Sequence, residues 1–257
     1  IKELQSYKKQ YAVPRKTLID NLEEAVVEEK KIEEMDVVFL MDRFGYAKTV
    51  DVSVYERNKE AADTENRYIL TCKNTDKICI FTNKGQMHLL KVLDLPYGKF
   101  RDKGIPIDNL SNYNSSEENF IYIINLGAII HSRLLFGTKT AMLKMVDGSE
   151  FDVAKRTTAS TKLNEDDELL IVHAMTGEET VVMQSEKEMF LRIEASTIPE
   201  KKKGAVGVRG MKLNAGDALS NIYVLDGESE QTVEVKGKEV VLNRLRVGNR
   251  DTKGTKR

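Results

Sequence analysis

No apolar run in this chain approaches the roughly 18 residues that would span a bilayer, and no secretory signal opens it. A soluble, cytoplasmic protein is therefore expected. Cysteine is scarce: Cys72 and Cys79 are the only two, and they are not in C-x-x-C spacing. They read as buried free thiols on neighbouring strands, with a disulfide as the alternative. The three histidines, His88, His131 and His173, are too scattered for metal ligation, which leaves them as strand-surface or core residues. Gly207-Val208-Arg209-Gly210 lacks both the strand-to-helix context and the Lys-Ser/Thr of a phosphate loop. Asp166-Asp167-Glu168 precedes a strand pattern and reads as a solvated turn, with a counterpart at Ala215-Gly216-Asp217. Charge of one sign is also missing. The net charge of −1 gives no general case for nucleic acid, so only the local distribution of cations could make one.

What the chain does have is an internal repeat. Lys103-Gly104, Lys203-Gly204 and Lys253-Gly254 fall on a period of about 50 residues, and Lys155-Arg156 fills the vacant slot. Such a period marks stacked supersecondary units that cannot bury their apolar faces alone. Five stretches share one layout of strand, short turn and strand: Val37 to Tyr55, Lys77 to Pro96, Arg133 to Phe151, Thr180 to Pro199 and Thr232 to Gly248. Apolar residues alternate within them, as at Ile78, Ile80, Met87 and Leu89, the pattern of strands with one buried face. Gly45, Gly85 and Gly237 mark turns that need positive φ. Phe120 to Asn125, Glu168 to His173 and Asn221 to Leu225 are further strands. An all-β, propeller-like disc of about five four-stranded blades is predicted over residues 35–257.

Residues 1–34 are of another kind. Ile1, Leu4 and Tyr7, then Leu18, Ile19, Leu22 and Val26, recur at helical spacing, with Pro14 between the two pieces. Glutamates from Glu23 to Glu34 make the end of the segment acidic. It reads as a helical connector, and the opening at Ile1 without Met fits a piece of a longer or processed chain.

Several motifs, taken in order, carry a family resemblance. Tyr11-Ala12-Val13-Pro14-Arg15-Lys16-Thr17 resembles the stretch where the coiled-coil arm of a type IIA topoisomerase A subunit ends and its C-terminal domain begins. Phe44-Gly45-Tyr46-Ala47-Lys48 is similar to the first hairpin turn of that domain, and Ile80-Phe81-Thr82-Asn83-Lys84-Gly85 to the second. Leu95-Pro96 and Lys103-Gly104 follow in family order, and Gly204 through Leu213, leading to Gly216-Asp217, resembles a late repeat. The resemblance implies a β-pinwheel whose blades exchange strands, in a gyrase or topoisomerase IV A subunit. It implies double-stranded DNA as partner, held or bent by a basic rim, and a nucleoid-associated location. The upstream cleavage domain and the ATPase subunit would be the protein partners. DNA cleavage, ATP and Mg2+ would belong to other parts of the holoenzyme, so no cofactor and no catalytic residue is expected in this chain. One departure matters. Where gyrase A subunits carry a Gln-Arg-Arg-Gly-Gly-Lys-Gly type box, Glu56 to Arg67 has no glycine and four acidic residues. Arg101-Asp102-Lys103-Gly104 and Arg250-Asp251-Thr252-Lys253-Gly254 are partial echoes. The departure favours topoisomerase IV over gyrase.

The residues also make a case without the family name. Arg43, Lys48, Lys84, Lys91, Lys139, Lys144, Lys187, Arg192, Lys236, Lys238 and Arg244 lie at turns or in the loops after them and recur once or twice per repeat. On a disc, a repeating cation draws a positive track suited to phosphates. Lys103, Lys155, Arg156, Arg209, Arg246, Arg250 and Lys253 extend the set, as does the cluster Lys201-Lys202-Lys203. Each alone is equally an ordinary solvated side chain, and the repeat alone would equally suit a propeller scaffold that binds protein partners.

Overall fold

The computed structural model describes residues 1–14 and 32–257, which fall in two compact units, Ile1–Glu33 and Glu34–Arg257. In the first, α1 (Lys2–Tyr11) buries none of its residues and gives way to extended backbone at Ala12. The second helical piece expected from Leu18, Ile19, Leu22 and Val26 lies outside the described residues.

In the second unit, β1 (Asp36–Asp42) and β2 (Tyr46–Asp51) form the first hairpin. Two short helices follow, α2 (Val52–Arg57) and α3 (Lys59–Glu65), and β3 (Asn66–Lys73) then pairs with β1. The second hairpin is β4 (Lys77–Thr82) and β5 (Gln86–Lys91). From it the chain crosses back to the first sheet, where β6 (Tyr97–Gly98) and β7 (Ile105–Pro106) lie along β2. It returns as β8 (Phe120–Asn125) beside β4. Helix α4 (Leu126–Ile129) leads to the third hairpin, β9 (Arg133–Thr138) and β10 (Met142–Asp147). Its sequel is the same: β11 (Thr157–Ala159) goes back to β5, and β12 (Leu169–Met175) pairs with β9. The fourth hairpin, β13 (Thr180–Ser185) and β14 (Met189–Glu194), sends β15 (Val208–Arg209) to β10 and β16 (Leu219–Leu225) to β13. The fifth, β17 (Thr232–Val235) and β18 (Lys238–Val241), sends β19 (Thr255–Lys256) to β14.

Each sheet is thus completed on its outer side by a strap donated from the next hairpin. The inner strands β3, β8, β12 and β16 lie next to one another in that order. The architecture is an all-β pinwheel, with four sheets of four or five strands; the fifth unit, among the described residues, is a two-stranded hairpin rather than a full blade.

Burial differs from the one-faced pattern expected. The first strand of each of the first four hairpins is buried on both faces, as in the run Val37 to Met41. Ile78 and Ile80 pack toward the first blade with Phe39 and Val37, whereas Cys79 and Phe81 pack toward the third with Phe136 and Phe151. Stacking of blade on blade covers both sides, so hydrophobic periodicity fades into continuous apolar runs. Cys72 and Cys79 are free and buried, but they sit on β3 and β4 in different sheets rather than on neighbouring strands. Burial pushes their thiols up to about 11 and about 12.

The segment after β2 is helical where the sequence suggested strand and then loop. The Asp51 side chain accepts from Ser53 N–H and starts α2, and α3 lays Ala62 against Val38, Leu40 and Val50.

The Lys-Gly repeat also needs a change of register. A Cβ on Gly104 would lie 2.8 Å from Ala47 O, one on Gly207 2.5 Å from Leu143 O, and one on Gly254 2.7 Å from Phe190 O. These three glycines let each strap cross close over the second strand of the hairpin it completes. Gly204 meets nothing within 4 Å, so the true counterpart of Gly104 and Gly254 is Gly207, three residues later. Thr157 stands at the same place in the second sheet, just before Thr158 pairs with Met87. Gly207→Ala should therefore destabilise the protein by roughly 2 kcal/mol, whereas Gly204→Ala should stay within about 0.5 kcal/mol. Urea denaturation measures both, and equal losses would refute this register.

Candidate nucleic-acid interface

The first strap sets a course that the third and fourth repeat, and the second shares its antiparallel return. This course enters parallel to the second hairpin strand, as at Thr49↔Tyr97, Met145↔Glu200 and Arg192↔Val247. It then loops away from the sheet and comes back antiparallel, at Ala47↔Ile105, Leu143↔Val208 and Phe190↔Thr255. The loop lies beyond the last strand of the sheet, so its side chains form the outer edge. Lys103 lies in the first strap, Lys155 and Arg156 in the second, Lys201, Lys202 and Lys203 in the third, and Arg246, Arg250 and Lys253 in or beside the fourth. The charged ends of Lys103, Lys155, Arg156, Lys201, Arg246 and Lys253 are exposed and make no ion pair or hydrogen bond among the described residues. Arg101, exposed in the first strap, belongs with them and was missed as a site residue. Its place just before Lys103-Gly104 was the available signal.

The other strap cations are partly engaged. Lys202 lies 3.5 Å from the Glu150 carboxylate. Lys203 donates its backbone N–H to Glu150 Oε2 at 3.0 Å and its Nζ to Glu150 O at 2.7 Å. Arg209 meets Asp251 at 3.4 Å, and Arg250 donates to Arg209 O at 2.9 Å.

The cations at the hairpin turns are of a second kind. Lys84 and Lys139, from the second and third turns, both end on Glu168, at 2.9 and 2.5 Å. These two partners hold the Glu168 carboxyl down to about 2. Lys187 donates to Ala215 O at 2.8 Å, Lys236 pairs with Glu188 at 2.7 Å, and Arg43 lies over the Phe44 ring at 4.7 Å. Asp167 is buried and accepts from Thr140 N–H at 3.0 Å and from Thr140 Oγ1 at 2.5 Å. Asp217 accepts from Lys187 N–H at 3.2 Å. Asp167-Glu168 is therefore a brace between turns rather than a solvated turn, because the strand that follows starts beside the hairpin of its own blade. Lys91 and Lys238 are exposed on strand ends, and Arg244 lies 3.3 Å from Glu230.

Three predicted contacts are corrected by their placement. Lys144 is 1% exposed, with Nζ bonded to Lys202 O, Lys203 O and Ala205 O at 3.2, 2.8 and 2.8 Å. Burial lowers its pKa to about 8. Lys48 is half-buried and donates to Phe100 O and to Asp102 O. Arg192 is half-buried and donates to Asn243 O at 2.5 Å and to Thr180 Oγ1 at 2.9 Å. Lys144 presents no charge to the outside, and the half-buried Lys48 and Arg192 are drawn toward backbone carbonyls or a hydroxyl of the neighbouring segment.

His88 is buried on β5, its ring 2.9 Å from the Glu118 carboxylate and 3.1 Å from Thr157 Oγ1. Among the described residues no three His, Cys, Asp or Glu side chains group as a metal site, and no helix is long and apolar enough to cross a membrane.

Fold and surface together define a strand-exchanged β-pinwheel with cations along its outer edge. Part of the chain is similar to a known family of such domains. Residues 132–174 and 179–226 match the family described as DNA gyrase C-terminal domain, beta-propeller. The DNA gyrase A subunit of Lawsonia intracellularis is 28% identical over 98% of this chain and 33% of its own length. The chain thus spans about a third of that curated relative. Among solved structures, the C-terminal domain of a DNA topoisomerase IV superimposes with a TM-score of 0.77 at 22% identity, covering 87% of this chain and 73% of that one. A DNA gyrase A C-terminal domain gives 0.57 at 17% identity, covering 86% and 76%.

The Glu168 brace has a pH signature. Its carboxyl binds a proton less readily folded than unfolded, so its contribution to stability is full above about pH 4.5 and is lost as pH falls toward 2. Glu168→Gln should lower the melting temperature at pH 7, and the two proteins should converge near pH 2. A gap that stays constant across that range would show that the pairs with Lys84 and Lys139 contribute nothing.

Proposed function

We propose that this chain binds duplex DNA through the strap loops of the outer edge, without sequence preference, and bends it toward the strand-passage core of a topoisomerase IV-like enzyme. That enzyme would relax and decatenate DNA and act in chromosome segregation. The observation that carries this reading is the division of the cations. The turn cations Lys84, Lys139, Lys187 and Lys236 each end on an oxygen of a neighbouring segment, while each of the four straps keeps at least one cation that is exposed and, among the described residues, unpaired. A cation repeated blade after blade along one edge matches the repeating charge of a phosphate backbone, and such contacts position DNA without reading bases.

Strand cleavage and ATP hydrolysis, with Mg2+, are assigned to the upstream cleavage domain and the ATPase subunit of the holoenzyme. The tyrosines here carry no catalytic role. The preference for topoisomerase IV rests on helices α2 and α3, which stand where the resemblance would put a glycine-rich basic box in gyrase. A gyrase A domain with a degenerate box is the second reading, favoured by the gyrase names of the family and the curated relative.

Fluorescence anisotropy with a mixed-sequence duplex tests the binding. Log affinity should fall linearly with log salt, and Lys103→Glu with Lys201→Glu should reduce the slope by about 0.9 for each lysine that contacts a phosphate. Lys8→Glu with Lys9→Glu, on α1, should change it much less. Equal losses from both pairs would mean that binding follows net charge and not the edge. Ligation of nicked circles separates the two enzymes: little change in linking number is expected, and a large positive shift would restore the gyrase reading.

A further inference from the structure

Lys48 and Lys144 occupy the same rung of their blades. Lys48 faces Leu40 across the first hairpin and Lys144 faces Phe136 across the third, and the residue before each is the one that pairs with the returning strap, Ala47 and Leu143. Both side chains run outward beneath the loop and end on its carbonyl oxygens. For Lys144 these are Lys202 O, Lys203 O and Ala205 O; for Lys48 they are Phe100 O and Asp102 O. An aromatic ring flanks each ammonium, Phe136 at 5.5 Å and Phe100 at 5.0 Å.

An ammonium has three donors and no acceptor, so three converging carbonyls saturate Lys144. Charge-assisted bonds of this kind are stronger than neutral ones, and a buried cation without partners is costly. The loop therefore cannot lift from the sheet without stranding the charge beneath it. Among the described residues, the middle of the third strap is otherwise held by Glu150, through Lys202 and Lys203.

We propose that Lys48 and Lys144 are positioning residues: internal clamps that fix the strap loops of the first and third blades and so set where the exposed cations Arg101, Lys103 and Lys201 stand. Their role in DNA binding rests on the reading given above; their role in holding the straps does not. The second blade has His88 on this rung, facing Ile80 and meeting its strap at the Thr157 hydroxyl. The fourth has Leu191 there, facing Met183.

Limited trypsin digestion tests the clamp directly, because the loops carry their own cleavage sites. Lys144→Met should speed cutting after Lys201, Lys202 and Lys203 by about tenfold, the scale of losing charged hydrogen bonds, and leave cutting after Lys99, Arg101 and Lys103 unchanged. Lys48→Met should do the reverse. Unchanged cutting in both variants, or both loops opening together, would overturn the proposal. Should a variant fail to fold, lysine ammonium NMR on the wild-type protein decides it: the Lys144 Nζ protons should exchange at least about tenfold more slowly than those of Lys201, and equal exchange would refute the clamp. Duplex binding is then read on the same proteins. Lys144→Met should weaken it several-fold, and full affinity despite an opened loop would end the positioning role. A wild-type protein that binds no duplex would sink the DNA reading while the digestion still judged the clamp.

Discussion

The second strand of a hairpin has one edge paired with its partner and one edge bare. In the first four blades that bare edge is filled by chain that belongs to the next hairpin, so no blade is complete on its own sequence. Unpaired backbone donors and acceptors are costly when buried and invite association when exposed, and strand exchange satisfies them in both respects. It also fixes several residue choices. The strap must approach the strand it completes closely, which calls for Gly104, Gly207 and Gly254. It must also leave and return within a few residues, which throws its middle outward as a loop. The loops that carry the free cations are therefore a by-product of closing the sheets.

That geometry sorts the basic side chains of a chain with almost no net charge. At the turns, Lys84 and Lys139 meet the Glu168 carboxylate on the approach to β12 and tie one blade to the next, while Lys187 ends on Ala215 O and Lys236 on Glu188. On the straps, among the described residues, no strand of another blade comes near enough to neutralise the exposed side chains. The contrast between a neutral whole and a basic edge thus arises from which elements have neighbours.

Much of the fold was legible in the sequence, because its hairpins are separated by turn residues and recur at a fixed spacing. The five predicted hairpins coincide with β1 through β18 where those are paired in sequence, and Phe120 to Asn125 is β8 as predicted. The site was legible in part. Lys144 was read as an edge cation although it sits in an otherwise apolar run, Leu143 to Val146, a context that fits its buried place. Its carbonyl partners come from 58 to 61 positions away, beyond any local pattern. Gly204 was misread because the third strap has three more residues between its Lys-Gly pair and the crossing glycine, so the dipeptide kept the period while the crossing moved. Helices α2 and α3 were missed because Val52 and Val54 continue the alternation of β2, and only Asp51 followed by Ser53 signals the change.

The direction of the exchange has a consequence for how the protein is made. Every strap travels backward, from a later hairpin to an earlier blade, and none of the described straps travels forward. On the ribosome, the first blade keeps an open edge until the second hairpin and the residues after it have emerged, and each later blade waits in the same way for its successor. Synthesis therefore closes the sheets one at a time in chain order, and a stall leaves the last one or two blades at the growing end with an open edge.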